Sequence, residues 1–399
     1  MSIPAVIVKP GEADRIIAGH PWVYGNSIQR ITSPPTDGEV VHVKDHRARF
    51  LGTGIYNSRS KIVIRMIDHD RAELDRAFFR ARISAALAHR RKWLPTATSY
   101  RLLNSESDFV SGLIVDRYED VLVLQTSSLG MDKRKHLIAE VLQELVEPVA
   151  ILERNDMSSR KFEGLAEIND VLVGEAPESV MVSLNDLKFE ADLAGGHKTG
   201  LYLDQQVNYA AVARFAQGAE VLDCFSFLGG FALHAACAGA KHVHGLDQSA
   251  DAVAAATRNA KTNGLSGNTS FEAINVFDWL KANTTHAPGD RVKPRYDLII
   301  LDPPSFTRNR ASVQDALRGY KEIHLRALKL LKAGGTLATF CCSHHVDTHL
   351  FEEVVLAAAF DAHRILRRVA QYTQSPDHPV LPAVAETEYL KGFAYEVVR

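Results

Sequence analysis

The C-terminal half of the sequence predicts an α/β fold built on a Rossmann-like, doubly wound sheet. From Glu220 onward, short apolar runs alternate with helical patterns, and this alternation is typical of βαβ units with parallel strands. The runs are Val221–Phe225, His242–Asp247, Phe271–Val276, Tyr296–Asp302 and Thr336–Cys342. Two later runs, Ile365–Val369 and Phe393–Val398, are expected to close the sheet as an edge pair.

The N-terminal half predicts two smaller domains. Gly, Pro, Asn and Ser clusters separate short apolar runs, which indicates a small β-barrel over residues 1–75. These runs are Ala5–Val8, Val40–Val43, Gly54–Tyr56 and Ile62–Met66. A helical pattern from Arg71 to Leu94 leads into a predicted α+β middle domain over residues 76–187. Its elements are the strands Leu113–Val115, Val121–Thr126 and Val149–Glu153 and the helix Met131–Val146. The α/β domain is assigned to residues 188–399, and Gly195-Gly196 marks a joint near its start, before the alternating pattern begins.

Composition excludes several classes of protein. No apolar run approaches the roughly 20 residues that a membrane-spanning helix needs, and the N-terminus lacks the pattern of a signal peptide. Four cysteines, two of them adjacent, do not form a disulfide framework. The sequence contains no CxxC pair and no HExxH motif, so we expect no metal site. The expected compartment is the cytoplasm, without a membrane partner.

Charge is unevenly distributed along the chain. The net charge is −2, but residues 1–100 hold 16 Lys and Arg against 9 Asp and Glu, so they carry +7 and the remainder carries −9. This asymmetry favours a polyanion as the partner of the N-terminal part. Six cations of the first long helix are candidates for contact with a phosphate backbone: Arg76, Arg80, Arg82, Arg90, Arg91 and Lys92.

The first strand of the α/β domain leads into a candidate nucleoside site. Asp223 lies near the end of this strand, and its last residue, Phe225, leads into the turn Ser226-Phe227-Leu228-Gly229-Gly230. The two glycines allow the backbone to approach a ligand closely. The next strand ends in Asp247, 24 residues after Asp223. That is about the spacing, roughly 20 residues, at which an acid reaches the ribose hydroxyls of a bound nucleoside.

The turns distinguish between possible nucleoside cofactors. A dinucleotide requires a G-x-G-x-x-G turn for its pyrophosphate, which this loop lacks, whereas S-adenosylmethionine carries no phosphate. Asn275 and Asp278 follow the third predicted strand, where Asp278 can accept a hydrogen bond from an adenine amino group. The fourth strand ends in Asp302-Pro303-Pro304-Ser305-Phe306. An Asp-Pro-Pro-aromatic turn at this place indicates a methyltransferase that acts on a planar base or amide.

These segments resemble the bacterial 23S ribosomal RNA cytosine-C5 methyltransferases across nearly the whole chain. The resemblance is carried by Lys198–Gln206, Asp223–Phe231 and Asp302–Phe306. Gly19–Tyr24 and Gly54–Asn57 are similar to that family's PUA domain, a small RNA-binding β-barrel. Ile151–Asp156 with Arg160–Leu165 resembles its middle domain, and Asp377–Pro379 with Tyr389–Gly392 resembles its C-terminal segments. Gln206 departs from the pattern, because the family usually has Arg there.

The resemblance implies a class I methyltransferase fold, S-adenosylmethionine as cofactor and 23S ribosomal RNA as substrate. Lys198, Thr199, Gly200, Asp204 and Gln205 then join the predicted cofactor site with Asp223, Phe225, Ser226, Gly229, Gly230, Asp247, Asn275, Asp278, Asp302 and Pro303.

Methylation of cytosine C5 requires a thiolate that adds to C6, since C5 itself is a poor nucleophile. The fifth strand ends in Cys341-Cys342. The family pattern Thr-Phe-x-Cys-Ser assigns the nucleophile to Cys342, and alternation along a strand turns Cys341 to the opposite side. Asp302 is expected to bind the N3 or N4 edge of the cytosine and to protonate N3.

Three alternatives remain open at this point. One is a methyltransferase of the same fold that modifies a purine nitrogen in RNA and uses no cysteine. Another is a non-catalytic RNA-binding or ribosome-assembly protein, which the intact series of strand-end acids disfavours. The third is a nicotinamide-dependent reductase, which the missing phosphate-binding turn disfavours.

Overall fold

A computed structural model describes residues 3–193, 201–285, 292–307 and 309–399. The chain forms two compact units. Unit 1 comprises Met1–Val182, Ala191–Leu203 and Pro376–Glu388, and unit 2 comprises Ser183–Glu190, Asp204–Ser375 and Tyr389–Arg399. The boundaries predicted for three domains stay a prediction. No helix in the described residues is both long enough and apolar enough to cross a membrane.

Unit 1 begins with a six-stranded sheet in the order β2-β6-β5-β4-β1-β3. Its strands are β1 (Ala5–Val8), β2 (Trp22–Tyr24), β3 (Ile28–Ile31), β4 (Val40–Lys44), β5 (Phe50–Tyr56) and β6 (Ile62–Asp68), with α1 (Ala13–Ile17) after β1. All pairs are antiparallel except β1 with β4. Val6, Val41 and Ile64 lie fully buried in its core. All four strands predicted here are present.

A second sheet follows in unit 1, with the order β11-β10-β9-β8-β7. Its strands are β7 (Tyr100–Asn104), β8 (Leu113–Tyr118), β9 (Val121–Thr126), β10 (Ala150–Asn155) and β11 (Ile168–Gly174). The helices α2 (Arg76–Trp93), α3 (Leu129–Asp132) and α4 (Lys135–Val146) accompany it, and α2 begins where the Asp75 side chain accepts from the backbone N–H of Phe78. Phe79, Ile83 and Leu142 belong to the core that α2 and α4 form with the sheet.

Unit 1 also includes a segment from near the end of the chain, Pro376–Glu388. Arg90, buried on α2, pairs with the Asp108 carboxylate and donates to the carbonyl oxygen of Asp377 at 2.8 Å. The Asp377 carboxylate accepts from the backbone N–H of Arg101 at 2.8 Å. Because the buried Arg90 binds both Asp108 and Asp377, it holds the C-terminal segment in the fold of the N-terminal half.

Unit 2 is built on a seven-stranded sheet in the order β16-β15-β14-β17-β18-β20-β19. The hairpin of β12 (Val180–Leu184) and β13 (Leu187–Ala191) comes before this sheet in the chain. The strands of the seven-stranded sheet are β14 (Glu220–Cys224), β15 (His242–Asp247), β16 (Thr269–Ala273), β17 (Tyr296–Leu301), β18 (Leu331–Cys341), β19 (Leu366–Tyr372) and β20 (Lys391–Val397). Its helices are α5 (Gln206–Ala213), α6 (Gly230–Cys237), α7 (Ala250–Thr262), α8 (Val276–Thr284), α9 (Val313–Leu330) and α10 (Thr348–Asp361).

The first five strands of this sheet are parallel, and β20 pairs antiparallel with both β18 and β19. Both the doubly wound sheet and its C-terminal edge pair are confirmed. The third strand differs from its prediction, because β16 ends at Ala273 rather than Val276. The Asn275 side chain accepts from the backbone N–H groups of Phe277 and Asp278 and so begins a helix at Val276.

Candidate active site

Several of the predicted site residues lie on or just after the carboxyl ends of β14, β15, β17 and β18, four parallel neighbours whose ends share one edge of the sheet. The chain continues from β14 to β15 and β16 on one side, and then crosses back to β17 on the other side of β14, so the strand order reverses between β14 and β17. In open α/β sheets a ligand binds at such a point of reversal. Asp223 lies on β14, in register with Gly245 and Ile300 of the neighbouring strands.

Asp223 is a buried carboxylate with one unused oxygen. Its Oδ2 atom accepts from the Ser226 hydroxyl at 2.8 Å and from the backbone N–H of Ala232 at 3.0 Å. Its Oδ1 atom has no hydrogen-bond partner among the described residues. Burial raises the pKa of Asp223 to about 7. The two hydrogen bonds lower this pKa, and the nearby charge of Asp247 raises it further. The orphaned oxygen fits a cationic or donor group of a ligand.

The turn after β14 is held in a strained backbone conformation. Phe225 and Phe227 both have left-handed backbone angles, with φ of 65° and 49°. Asp247 fixes this turn, because its Oδ2 atom accepts from the backbone N–H of Phe227 at 2.9 Å. Its Oδ1 atom accepts from the backbone N–H of Ser249 at 2.9 Å. Strain of this kind is found preferentially at ligand sites, and each Asp247 oxygen keeps a further acceptor position.

Glycine is required at two positions of this turn, for a different steric reason at each. Gly229 has a φ of 85°, a left-handed angle that favours glycine. Gly230 begins α6 against the ring of Tyr209, and a Cβ atom there would lie 2.6 Å from the ring carbon Cζ. A side chain at either position would therefore deform the loop.

Asn275 and Asp278 lie on the N-terminal turn of α8 rather than at the end of a strand. The backbone N–H of Ile274 donates to the Asp247 carbonyl at 2.8 Å, which places this turn beside the end of β15. Asp278 is exposed. The preceding Phe277 packs its ring against Phe306, with ring centroids 5.6 Å apart.

The segment before α5 brings two predicted residues into the site. Gln205 donates through Nε2 to the Asp302 Oδ1 atom at 3.1 Å. Asp204 accepts through Oδ2 from the Tyr389 hydroxyl at 2.7 Å, whereas its buried Oδ1 atom has no hydrogen-bond partner in the described part of the chain. Lys198, Thr199 and Gly200, also predicted here, lie outside the described residues.

The turns after β17 and β18 meet at Cys342. Its Sγ atom lies 3.9 Å from the carbonyl oxygen of Pro303, and the side chain is half-buried. Cys341 is fully buried, with its Sγ atom 3.4 Å from the Tyr320 hydroxyl on α9. The two adjacent thiols thus have different surroundings, as alternation along a strand predicts.

The structure therefore joins the predicted residues in three groups: Asp223 with Ser226, Gln205 with Asp302, and Pro303 with Cys342. No group of His, Cys, Asp and Glu side chains within the described ranges could hold a metal ion. The sequence predicted no role for several residues packed around the site, which are Phe277, Tyr320, Tyr389 and Lys391. Phe306 and Ser343 entered only as members of the Asp-Pro-Pro-aromatic and Thr-Phe-x-Cys-Ser patterns. Tyr389 and Lys391 lie in a segment singled out by resemblance, which was the only signal for them. The others are ordinary polar or aromatic residues of helices and turns.

The six cations of α2 predicted to contact phosphate differ in burial and in ion pairing. Arg90 is buried and paired with Asp108, so its place in that set is wrong. Arg82 pairs with Asp68 at 2.7 Å. Arg76 and Arg80 are exposed but pair with Glu140 and Glu144 of α4. Arg91 and Lys92 are exposed at the end of the helix.

Comparisons with known proteins agree with this architecture. Residues 6–69 match a family described as a PUA-like domain, and residues 160–391 match a family described as an S-adenosylmethionine-dependent methyltransferase. The ribosomal RNA large subunit methyltransferase I of Shewanella amazonensis is 39% identical over 98% of this chain and 98% of its own length. The protein of that name from Vibrio vulnificus is 37% identical over 100% of both chains.

A solved structure described as an S-adenosylmethionine-dependent methyltransferase from Streptococcus mutans has the same fold. Its TM-score is 0.82 at 21% identity, and the alignment covers 99% of this chain and 100% of that chain. A second structure, of a methyltransferase complexed with SAH, has a TM-score of 0.84 at 22% identity, over 99% and 100% of the two chains.

Proposed function

The chain belongs to the S-adenosylmethionine-dependent methyltransferases, and we propose that it methylates C5 of a cytosine in 23S ribosomal RNA. Relatives named ribosomal RNA large subunit methyltransferase I match it over its full length, which supports ribosomal RNA as the substrate. The observation that carries the C5 chemistry is the half-buried thiol of Cys342 beside the Asp302-Pro303 turn. A methyltransferase acting on a purine nitrogen has no need of a thiol there.

Cys342 acts as the nucleophile in this proposal. Its thiolate forms a bond to C6 of the cytosine, and the electron pair of the C5–C6 double bond moves through the ring to N3, which takes up a proton. C5 is then enamine-like and able to attack an electrophilic methyl group. After methylation, a base removes the C5 proton, the C6–S bond breaks and N3 gives up the proton that it had taken, which returns the thiolate to Cys342 and restores the aromatic ring.

Asp302 recognises the base. Its carboxyl group, held through Oδ1 by the Gln205 amide, would bind the N3 and N4 edge of the cytosine and supply the N3 proton. Pro303 continues the same turn, and its carbonyl oxygen faces the Cys342 sulfur. One short turn therefore carries the proposed proton donor and contacts the proposed nucleophile.

The cofactor supplies, when bound, a methyl group on a positively charged sulfonium. The residues present fit such a ligand, because the site offers carboxylates and no phosphate-binding turn. Asp247 would accept from the ribose hydroxyls, and the orphaned Asp223 oxygen would face the methionine end together with Ser226, Gly229 and Gly230. Asn275 and Asp278 would bind the adenine beside Phe225. Lys198, Thr199, Gly200, Asp204, Gln205 and Pro303 complete the proposed set.

The N-terminal residues would bind the RNA away from the reacting base. Residues 6–69 match a PUA-like domain, and the first hundred residues carry an excess of positive charge. A cytosine must leave its stack before a thiol reaches C6, at a cost of a few kcal/mol. Contacts to the RNA backbone elsewhere would offset that cost. The reaction on ribosomal RNA is assigned to the cytoplasm.

The proposal is tested by mapping modified bases in 23S ribosomal RNA by mass spectrometry. Cells lacking the protein should lose one 5-methylcytosine, and the wild-type gene should restore it. A gene carrying Cys342→Ala should not restore it. Cys237→Ala, which removes an exposed thiol at the end of α6, should restore it fully. Loss of a methylated purine instead, or full restoration by Cys342→Ala, would reject the C5 chemistry.

A further inference from the structure

Both neighbours of Cys342 are bound by one buried hydroxyl group. The Tyr320 side chain is fully buried, and its hydroxyl oxygen lies 3.4 Å from the Cys341 Sγ atom and 3.0 Å from the Ser343 Oγ atom. Cys341 and Ser343 are themselves fully buried. The half-buried Cys342 thus lies between two residues that share an anchor on α9.

The hydrogen bonds extend from this anchor to the turn after β17. Ser343 Oγ lies 2.9 Å from Ser305 Oγ, and Ser305 Oγ donates to the Thr307 carbonyl at 2.7 Å. Ser305 stands three residues after Asp302 in the Asp-Pro-Pro turn. The chain of hydroxyls therefore joins the turn that holds Cys342 to the turn that holds Asp302.

One proton per hydroxyl fixes the direction of every bond in this chain. Ser305 gives its proton to the Thr307 carbonyl, so it accepts from Ser343. Ser343 has then used its proton and must accept from Tyr320. Tyr320, in turn, accepts from the Cys341 thiol. Burial raises the pKa of Tyr320, so the phenol keeps the proton that the chain requires.

Lys391 fixes the same turn from the other side. It begins β20, pairs with Cys341 across the ladder, and is buried. Its Nζ atom donates to the carbonyl oxygens of Ser343 and Tyr389, both at 2.9 Å. The backbone after Cys342 is thus held at its carbonyl by an ammonium group, while the Ser343 side chain is held by Tyr320.

We propose that Tyr320 is a positioning residue for the Cys342 thiol. Through Cys341 and Ser343 it fixes the backbone on both sides of Cys342, and through Ser305 it fixes the distance to the Asp302 turn. The inference rests on the proposed function, in which the Cys342 sulfur must meet C6 of the base that Asp302 holds. A displacement of about 1 Å in such a geometry can lower the rate by roughly 100-fold.

The first test compares Tyr320→Phe with Tyr395→Phe. Tyr395 is also buried in unit 2 and donates its hydroxyl proton to Glu352 at 3.1 Å, but it lies within β20, away from the turn. On 23S ribosomal RNA from cells lacking the protein, Tyr320→Phe should lower kcat at least 10-fold. It should leave the KM for RNA and the Kd for S-adenosylmethionine within twofold. Tyr395→Phe should keep kcat within twofold.

A milder variant separates positioning from folding. Ser305 is exposed, so Ser305→Ala removes the last hydroxyl of the chain without opening the core, and it should lower kcat about threefold. A kcat within twofold of wild type in Tyr320→Phe would overturn the inference. So would an equal fall in Tyr320→Phe and Tyr395→Phe.

A second measurement does not depend on methyl transfer. Iodoacetamide alkylates exposed thiols, and the exposed Cys237 provides a reference within the same chain. The ratio of the Cys342 and Cys237 rates, followed by mass spectrometry, should change at least threefold in Tyr320→Phe and remain unchanged in Tyr395→Phe. An unchanged ratio in Tyr320→Phe rejects the positioning role. Full activity of Cys342→Ala instead rejects the proposed function, so the two failures are distinguishable.

Discussion

The Cys342 sulfur lies 3.9 Å from the carbonyl oxygen of Pro303, so the proposed nucleophile contacts the turn proposed to hold its substrate. Cys341 is directed to α9 instead. This arrangement predicts that RNA containing 5-fluorocytosine will trap a covalent adduct on Cys342, because fluorine cannot leave as a proton would. Denaturing gels should show the adduct in wild type and in Cys341→Ala, but not in Cys342→Ala. An adduct that survives Cys342→Ala would assign the nucleophile elsewhere.

Asp247→Ala should weaken S-adenosylmethionine binding at least 10-fold in a calorimetric titration. The substitution removes the proposed ribose acceptor. It also removes the hydrogen bond from the backbone N–H of Phe227 to Asp247, and that bond holds the strained turn after β14. Asp251→Ala is the matched control, since Asp251 is an exposed acid in the first turn of the next helix. Unchanged affinity in Asp247→Ala would remove this residue from the cofactor site.

Asp223 should make stability depend on pH. Its pKa is raised by burial to about 7, against about 3.9 in an unfolded chain. Its contribution to stability is therefore fully present below about pH 4 and is lost as the pH rises through about 7. Asp223→Asn removes this loss, so its melting temperature relative to wild type should rise between pH 5 and pH 8.

Asp297→Asn is the control, because the pKa of Asp297 is shifted in the direction opposite to that of Asp223. Although burial opposes the change, hydrogen bonds from Lys332 and the Glu220 backbone lower the pKa of Asp297. The stability that Asp297 contributes is therefore present above about pH 4 and lost only as the pH falls through its native pKa. Asp297→Asn should melt below wild type throughout the same pH range. A melting-temperature difference for Asp223→Asn that does not vary with pH would contradict its raised pKa.

Lys9, Arg30 and Lys61 are exposed cations of the first sheet and its turns, and they are candidates for phosphate contacts. Replacing all three with Ala should weaken RNA binding. It should also reduce the slope of the logarithm of the binding constant against the logarithm of salt concentration. The reduction should be about 0.7–0.9 for each phosphate that is no longer neutralised, since fewer counterions are released. The control replaces Arg76 and Arg80, which already pair with Glu140 and Glu144. Filter binding over a salt series measures the slopes, and equal slopes for wild type and the triple variant would exclude this surface.

The sequence predicted the centre of the sheet of unit 2 well because β14, β17 and the second half of β18 are buried on both faces. Leu298–Leu301 of β17 and Leu337–Cys341 of β18 are mostly apolar runs of buried residues, which is typical of strands inside a parallel sheet. The run Phe271–Val276 was predicted as one strand, but its apolar residues belong to the end of β16 and the start of α8. The capping bonds of Asn275 decide where the strand stops, and a capping side chain has no signal in hydrophobic periodicity.

Topology alone predicts only the site residues at strand ends, whereas Asp204 and Gln205 entered the predicted set by resemblance. Acids and a thiol at strand ends share one edge by topology alone, so Asp223, Asp247, Asp302 and Cys342 could be grouped before the structure was known. Tyr320 and Lys391 could not. Tyr320 reaches Cys341 from a helix packed on the sheet, and Lys391 depends on the antiparallel insertion of β20 beside β18. Neither contact follows from local spacing.

The hydrogen bond from the buried Arg90 to the Asp377 carbonyl also bears on the order in which the protein folds during synthesis. Arg90 binds Asp377, which a ribosome adds 287 residues later. Domains commonly fold in the order of their emergence, yet unit 1 cannot complete its polar core until the segment Asp204–Ser375 of unit 2 has been translated. A nascent chain will therefore hold Arg90 without one of its acceptors while that whole segment is made. Truncation just before Pro376 should for this reason damage the N-terminal half as well as the catalytic one.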